Sequence, residues 1–226
     1  MTRQEYIETG RTTVAGWFAQ RDAMLFDAID VSQRRVGITG DILEIGCYQG
    51  TSAIMLGYMK QPDERLIICD PFDGETLSAE DDTERARYYT DLSRGTFENN
   101  YRRFHAELPE IVAQPSSALH TQSLGQTFRF IHIDGSHAYD QVRSDLLLAK
   151  RFLKPNGVVV FDDLISAHTP GVTAAVWEGV ANDGLVPLFQ TIKFYGTWGA
   201  PPEIDLPELP WYEHDVSGHK MLHIEG

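Results

Sequence analysis

The chain has 226 residues, 42% of them hydrophobic, and carries 33 acidic against 19 basic side chains for a formal net charge of −14. That length and apolar content suit one globular domain with a large core, and the acidity argues against a nucleic-acid backbone as partner, since phosphate binding needs a basic face. No apolar run reaches a membrane span, no charged-then-apolar leader pattern opens the chain, and the only cysteines, Cys47 and Cys69, read as buried thiols of a cytoplasmic enzyme rather than as a disulfide.

Residues 1–36 have a helical pattern, with Val14, Trp17, Phe18, Arg21, Leu25 and Ile29 on one face. Packing on the core and covering the mouth of a site both stay open as its role. The expected organisation is a helical segment over 1–37 and a single domain over 38–226. Asp41-Ile-Leu-Glu-Ile-Gly46 reads as a first strand and Gly46-Cys-Tyr-Gln-Gly50-Thr-Ser52 as its turn into a helix. Gly46 and Gly50 let the backbone turn tightly and approach a ligand. The helix start offers free N–H groups to an anionic group. The dinucleotide fingerprint needs a glycine where Tyr48 stands. An acid, Glu44, ahead of G-x-x-x-G better suits a cofactor with an amino-acid tail. Glu44 can face its ammonium group, and the helix end with Ser52 its carboxylate.

Arg65 to Asp70 is a second strand, and an acid at such a strand end often takes ribose hydroxyls, which makes Asp70 a candidate. Residues 73–96 are long, polar and acidic, and read as a lid, a substrate loop or a solvated segment. Phe97 to Leu108 is helical, Ile111 to Gln114 a short strand, and Ser117 follows at the edge where an adenine ring would lie.

Phe128 to Ile133 and Val158 to Phe161 are apolar strands that end in acids, and the helical run from Tyr139 to Leu153 joins them. A right-handed crossover brings Asp134 and the Asp162-Asp163 pair to the same sheet edge, with His137 just above. His132 lies within a strand and reads as core; His168 reads as near the mouth. Thr169-Pro170 opens a further helix that ends near Gly184. Leu188 to Tyr195 and Lys220 to Ile224 are two last strands, with a Pro-rich loop from Pro201 to Pro210 between them. The predicted fold is α/β and Rossmann-like: a seven-stranded, mostly parallel sheet with one antiparallel strand and helices on both faces.

These residues resemble the class I S-adenosylmethionine-dependent methyltransferases over nearly all of 38–226. Leu43-Glu-Ile-Gly-Cys-Tyr-Gln-Gly-Thr-Ser-Ala53 is similar to the first motif of the catechol O-methyltransferases. The resemblance implies that Tyr48 and Ser52 help hold the methionine end, Asp70 the ribose and Ser117 the adenine. It also implies a magnesium ion, or another divalent cation, on Asp134, Asp162 and Asp163. The catechol enzymes carry asparagine where Asp163 stands. The acidic pair is closer to the magnesium-dependent sugar O-methyltransferases of macrolide biosynthesis, the macrocin and mycinamicin type. Asp134-Gly-Ser-His137 fits their D-x-x-H element, whose histidine is the proposed base.

The chemistry also follows from the residue types. Three carboxylates suit a hard cation that keeps waters or takes substrate oxygens, and such a cation stabilises an alkoxide as it forms. A histidine can take the alcohol's proton. The expectation is therefore a magnesium-dependent O-methyltransferase acting on a hydroxyl of a small polyhydroxylated molecule, a sugar or glycosylated natural product. Methylation of catechols or phenols, a metal-independent N-methyltransferase and a non-catalytic cofactor-binding module are the rivals. The oligomeric state stays open, homo-oligomers included.

Overall fold

A computed structural model describes residues 1–74, 79–89, 91–122, 124–216 and 218–224. Its centre is one nine-stranded sheet in the order β3-β2-β1-β4-β5-β7-β6-β9-β8. The strands are β1 (Asp41–Ile45), β2 (Leu66–Cys69), β3 (Glu110–Val112), β4 (Phe128–Ile133), β5 (Leu153–Phe161), β6 (Leu185–Gln190), β7 (Phe194–Trp198), β8 (Tyr212–Val216) and β9 (His219–His223). The first five pair in parallel, as their continuous apolar runs require.

Successive side chains of a central strand enter opposite layers. Phe130, Val158 and Val160 join one core with helices α1 (Arg3–Glu8), α2 (Gln20–Arg35), α3 (Thr51–Met59) and α5 (Arg94–Arg102). Ile131, Ile133, Val159 and Phe161 join the other, under α6 (Tyr139–Phe152) and α7 (Pro170–Asn182). Helix α4 (Ala79–Tyr88) follows β2. The acidic stretch 73–96 thus contains a helix, while residues 75–78 and 90 lie outside the described ones.

Two expectations about the sheet are corrected. Among the described residues it has nine strands, not seven, and two of them, β7 and β8, run against the rest. The run from Leu188 to Tyr195 is not one strand. It breaks at Thr191-Ile192-Lys193 into the β6–β7 hairpin, where no Gly, Pro or Asn marks the turn. The turn is closed instead by the Thr191 N–H donating to the Lys193 carbonyl at 2.8 Å and the Lys193 N–H to Thr191 Oγ1 at 3.0 Å. Strand β8 is an exposed edge paired to β9, so its polar side chains hide it from an apolar pattern.

The first 36 residues are likewise broken, into α1, a 3-10 turn over Gly10–Thr13 and α2. Between them the chain lies against the start of α3. Gly16 has a φ of +153°, and a Cβ there would overlap the Thr51 hydroxyl. Arg129 ties α2 to the sheet. It is fully buried on β4, 2.9 Å from Asp30 and 2.8 Å from Glu64. Among the described residues no helix is long and apolar enough to cross a membrane.

Candidate active site

The carboxyl ends of β1, β2 and β4 stand side by side, Ile45 opposite both Cys69 and Ile133. A cavity of about 490 Å³ opens there, lined among others by Gly46, Asp70, Ser116, Asp134, His137 and Asp163. This is the edge at which an open α/β sheet binds ligands.

Gly46 makes the approach possible. Its φ is +79°, and a Cβ there would overlap the Asp134 carbonyl oxygen, so the β1 and β4 turns touch through backbone. Asp70 fixes the first turn. Its Oδ2 accepts from the N–H groups of Cys47 at 2.8 Å and Tyr48 at 3.3 Å, and its Oδ1 from the Phe72 N–H at 2.6 Å. Burial raises its pKa, and these bonds oppose the rise. Cys47 and Cys69 are free, buried thiols.

The predicted cofactor residues divide. Gly46, Tyr48, Ser52 and Asp70 line the cavity; Glu44, Gly50 and Ser117 do not. Gly50 caps α3 in a left-handed conformation, φ +98°. Ser117 is exposed, and its neighbour Ser116 lines the cavity instead, because the 3-10 turn Ser116–Thr121 carries Ser116 inward. The Ser116 hydroxyl donates to Asp145 Oδ1 at 2.6 Å, and Gln141 Nε2 donates to Ser116 Oγ at 2.8 Å.

Glu44 lies beneath the cavity, 2.8 Å from His132 Nδ1 and opposite it on the neighbouring strand. Burial raises the Glu44 pKa well above the ordinary value and lowers that of His132 well below it, so both are driven toward their neutral forms.

Asp134, Asp162, Asp163, His137 and His168 all line the cavity. Burial pushes the Asp134 pKa up to about 7, with the Asp163 charge adding to the rise and Lys193 and His137 opposing it. Asp163, in a left-handed conformation at φ +56°, turns its Oδ2 to His137 Nε2 at 3.1 Å and accepts from the Ser166 hydroxyl on Oδ1 at 2.6 Å. Burial would raise its pKa, but the hydrogen bonds from His137 and Ser166 outweigh it and hold the carboxylate below the ordinary range. Asp162 accepts the Asp163 N–H on Oδ1 at 2.8 Å, and its Oδ2 takes the ammonium of Lys193.

The three carboxylates expected to bind magnesium therefore do not present themselves as one open oxygen site. Asp162 carries an ammonium, and Asp163 faces an imidazole. Among the described residues, the ligand atoms that do cluster, within 4.8 Å, belong to His132, Asp134 and Asp162. As they stand, these groups do not fit a hard, oxygen-ligated cation.

Two features escaped the sequence reading, and a third, Trp17 at the cavity, realises one of the two roles left open for residues 1–36. Lys193 is fully buried, and its only signal was a charged residue inside an apolar run. Trp17 stacks on Tyr48 at 5.5 Å and meets the edge of Tyr89 at 5.7 Å, so the break before α2 brings an indole to the cavity. The Ser116–Asp145–Gln141 group joins a turn to α6 across 25 or more residues, a separation that no local pattern encodes.

The fold and site define a class before they define an enzyme. A methyltransferase-domain family matches residues 43–164, more than half of the chain, and the chain belongs to that family. It is an S-adenosylmethionine-dependent methyltransferase. Solved structures with the same fold include the O-methyltransferase NovP, at 18% identity and a TM-score of 0.62 over 80% of this chain and 81% of that one. CalS11, a TDP-rhamnose 3'-O-methyltransferase of calicheamicin biosynthesis, superposes at 16% identity and a TM-score of 0.53 over 87% of each chain. TomG from Streptomyces achromogenes, involved in tomaymycin synthesis and solved with S-adenosylmethionine, does so at 15% identity and 0.54 over 87% and 89%. A search of curated proteins gives no significant match.

Proposed function

We propose that this chain methylates a hydroxyl group of a small polyhydroxylated molecule, a sugar or glycosylated natural product. The observation that carries the reading is the His137–Asp163 pair at the wall of the same cavity as Asp70 and Gly46. A proton acceptor beside the cofactor's turn is what O-methylation requires. The likeness to NovP and CalS11 supports the choice of oxygen, and CalS11, a TDP-rhamnose 3'-O-methyltransferase, that of a sugar-bearing acceptor.

In this reading Gly46, Tyr48 and Ser52 hold the methionine end, Asp70 the ribose, and Ser116, in place of the exposed Ser117, the adenine side. When bound, S-adenosylmethionine supplies an electrophilic methyl group on a sulfonium. The chain's own residues do the rest. The walls of the cavity align the acceptor oxygen and keep it there, which supplies much of the acceleration in an in-line displacement. The hydroxyl proton passes to the His137 imidazole, and Asp163, held ionised by its bonds, stabilises the imidazolium at Nε2.

A magnesium-dependent version places the cation among Asp134, Asp162 and Asp163. It requires Lys193 to leave Asp162 and Asp163 to leave His137. Methylation of a catechol or phenol would use the same pair. The deciding experiment has two parts. Titration calorimetry with S-adenosylmethionine tests the cofactor site, with binding expected. Transfer of labelled methyl is then measured across nucleotide sugars, glycosylated natural products and catechols. Turnover confined to catechols would overturn the sugar reading, and absence of cofactor binding would overturn the whole.

A further inference from the structure

We infer that the Lys193 ammonium is the resident cation of this site, standing on Asp162 where a divalent ion would stand, so that methyl transfer runs without added metal. The inference rests on the methyltransferase reading above and adds the identity of the charge that balances its acids.

Lys193 sits in the β6–β7 turn, and its side chain is fully buried. Its ammonium meets the Asp162 carboxylate, and the Phe18 ring lies 5.9 Å from Nζ. Its positive charge also opposes the rise in proton affinity that burial imposes on Asp134 and Glu44, so its influence reaches beyond its partner Asp162. Next to it, Ile192 lines the cavity, and the Leu164 N–H donates to the Ile192 carbonyl at 2.9 Å, which holds the hairpin turn against the segment after Asp163. A buried charge needs a partner, and Lys193 has Asp162. A divalent ion on that same carboxylate would face the ammonium at close range in a poorly screened interior. The two cations are alternatives.

The pair also positions the base. Asp162 Oδ1 accepts the Asp163 N–H at 2.8 Å, and Asp163 in turn meets His137 at 3.1 Å. Lys193 acts through that chain. It is a positioning residue, not one that touches the reacting atoms. Removing it leaves Asp134, Asp162 and the His132 Nε2, which makes no hydrogen bond and lies 4.0 Å from Asp162 Oδ2, with ligand atoms within 4.8 Å of one another, open to a divalent ion.

The test uses the full chain stripped with chelator and titrated with Mn2+, followed by electron paramagnetic resonance, with and without S-adenosylhomocysteine. The wild type should bind no stoichiometric Mn2+, and its turnover should be the same in EDTA as in added Mg2+. Lys193→Met should gain a bound Mn2+. It should also lose about 10²-fold in kcat, the scale of a base displaced by an ångström, while the affinity for S-adenosylhomocysteine stays unchanged. Lys193→Gln serves should the methionine variant not fold. One Mn2+ bound per wild-type chain, or activity lost in EDTA and restored by Mg2+, overturns the assignment. So does a folded variant that still binds no Mn2+, because Lys193 was then not what kept the ion out. Failure to bind S-adenosylhomocysteine would instead strike the methyltransferase reading, and the Mn2+ titration separates the two.

Discussion

His137 Nε2 lies 3.1 Å from Asp163 Oδ2, and Asp163 is held there by a second bond from Ser166. A carboxylate on an imidazole fixes the ring and favours its protonated form after proton transfer. His137→Ala should lower the single-turnover rate by roughly 10²–10⁴-fold, the range for losing a general base. Asp163→Asn should lower it less, because the amide still orients the ring without stabilising its charge. Cofactor affinity should be unchanged in both. A rate for His137→Ala within about fivefold of wild type at saturating acceptor would demote the residue, since a general base accounts for more than that.

Asp70 accepts three backbone N–H groups and lines the cavity as well. Asp70→Ala removes a charge-assisted contact to the proposed ribose, about 1.5–3 kcal/mol. Calorimetry should show the S-adenosylmethionine affinity reduced by roughly tenfold or more. Unchanged affinity in a folded variant would remove Asp70 from the cofactor site.

Arg129 is the stability counterpart. Replacing it with Met leaves Asp30 and Glu64 facing a side chain without charge in a buried place. Breaking one side of such a network costs about 3–5 kcal/mol, which a urea midpoint should register with an unchanged slope.

The same network gives a pH dependence of known sign. Burial alone would raise the Glu64 pKa, but its bonds with Arg129 hold it below the ordinary 4.5. The unfolded chain therefore binds the extra proton in the window below that value. Glu64's contribution to stability is present above the unfolded pKa and is lost as pH falls through the lower folded one. Denaturation curves from pH 6 down to about pH 3 should show a decline in the wild type that is shallower in Arg129→Met.

Much of this arrangement was legible because its signals are local. The strand ends Asp70, Asp134 and Asp162 are short apolar runs closing on an acid, and a parallel sheet brings such ends to one edge whatever lies between. What escaped is non-local. Glu44 alternates with Leu43 and Ile45 and so shares the face of His132, which turns a predicted ligand contact into a buried pair. Asp162 and Asp163 are adjacent, yet the positive φ of Asp163 sends one to Lys193 and the other to His137. The Lys193 partnership depends on a hairpin whose turn carries no turn residue.

Trp17 offers the sharpest separation of acceptor from cofactor. The indole is 66% exposed although it stacks on Tyr48 and borders the cavity. A large aromatic left in water beside a site gains most of its burial only when a ligand covers it. Trp17→Ala should therefore leave the midpoint of thermal unfolding nearly unchanged, because little buried area is lost. Losing a stacking contact of about 0.5–1.5 kcal/mol corresponds to a rise of up to roughly tenfold in the acceptor KM. The kcat at saturating acceptor and the affinity for S-adenosylhomocysteine should stay close to wild type, since uniform binding is what is removed. Steady-state kinetics in both substrates, with calorimetry on the product cofactor, measures each part. A fall in cofactor affinity with the acceptor KM unmoved would assign the indole to the methionine end beside Tyr48 instead, and the acceptor would then lie on the His168 side of the cavity.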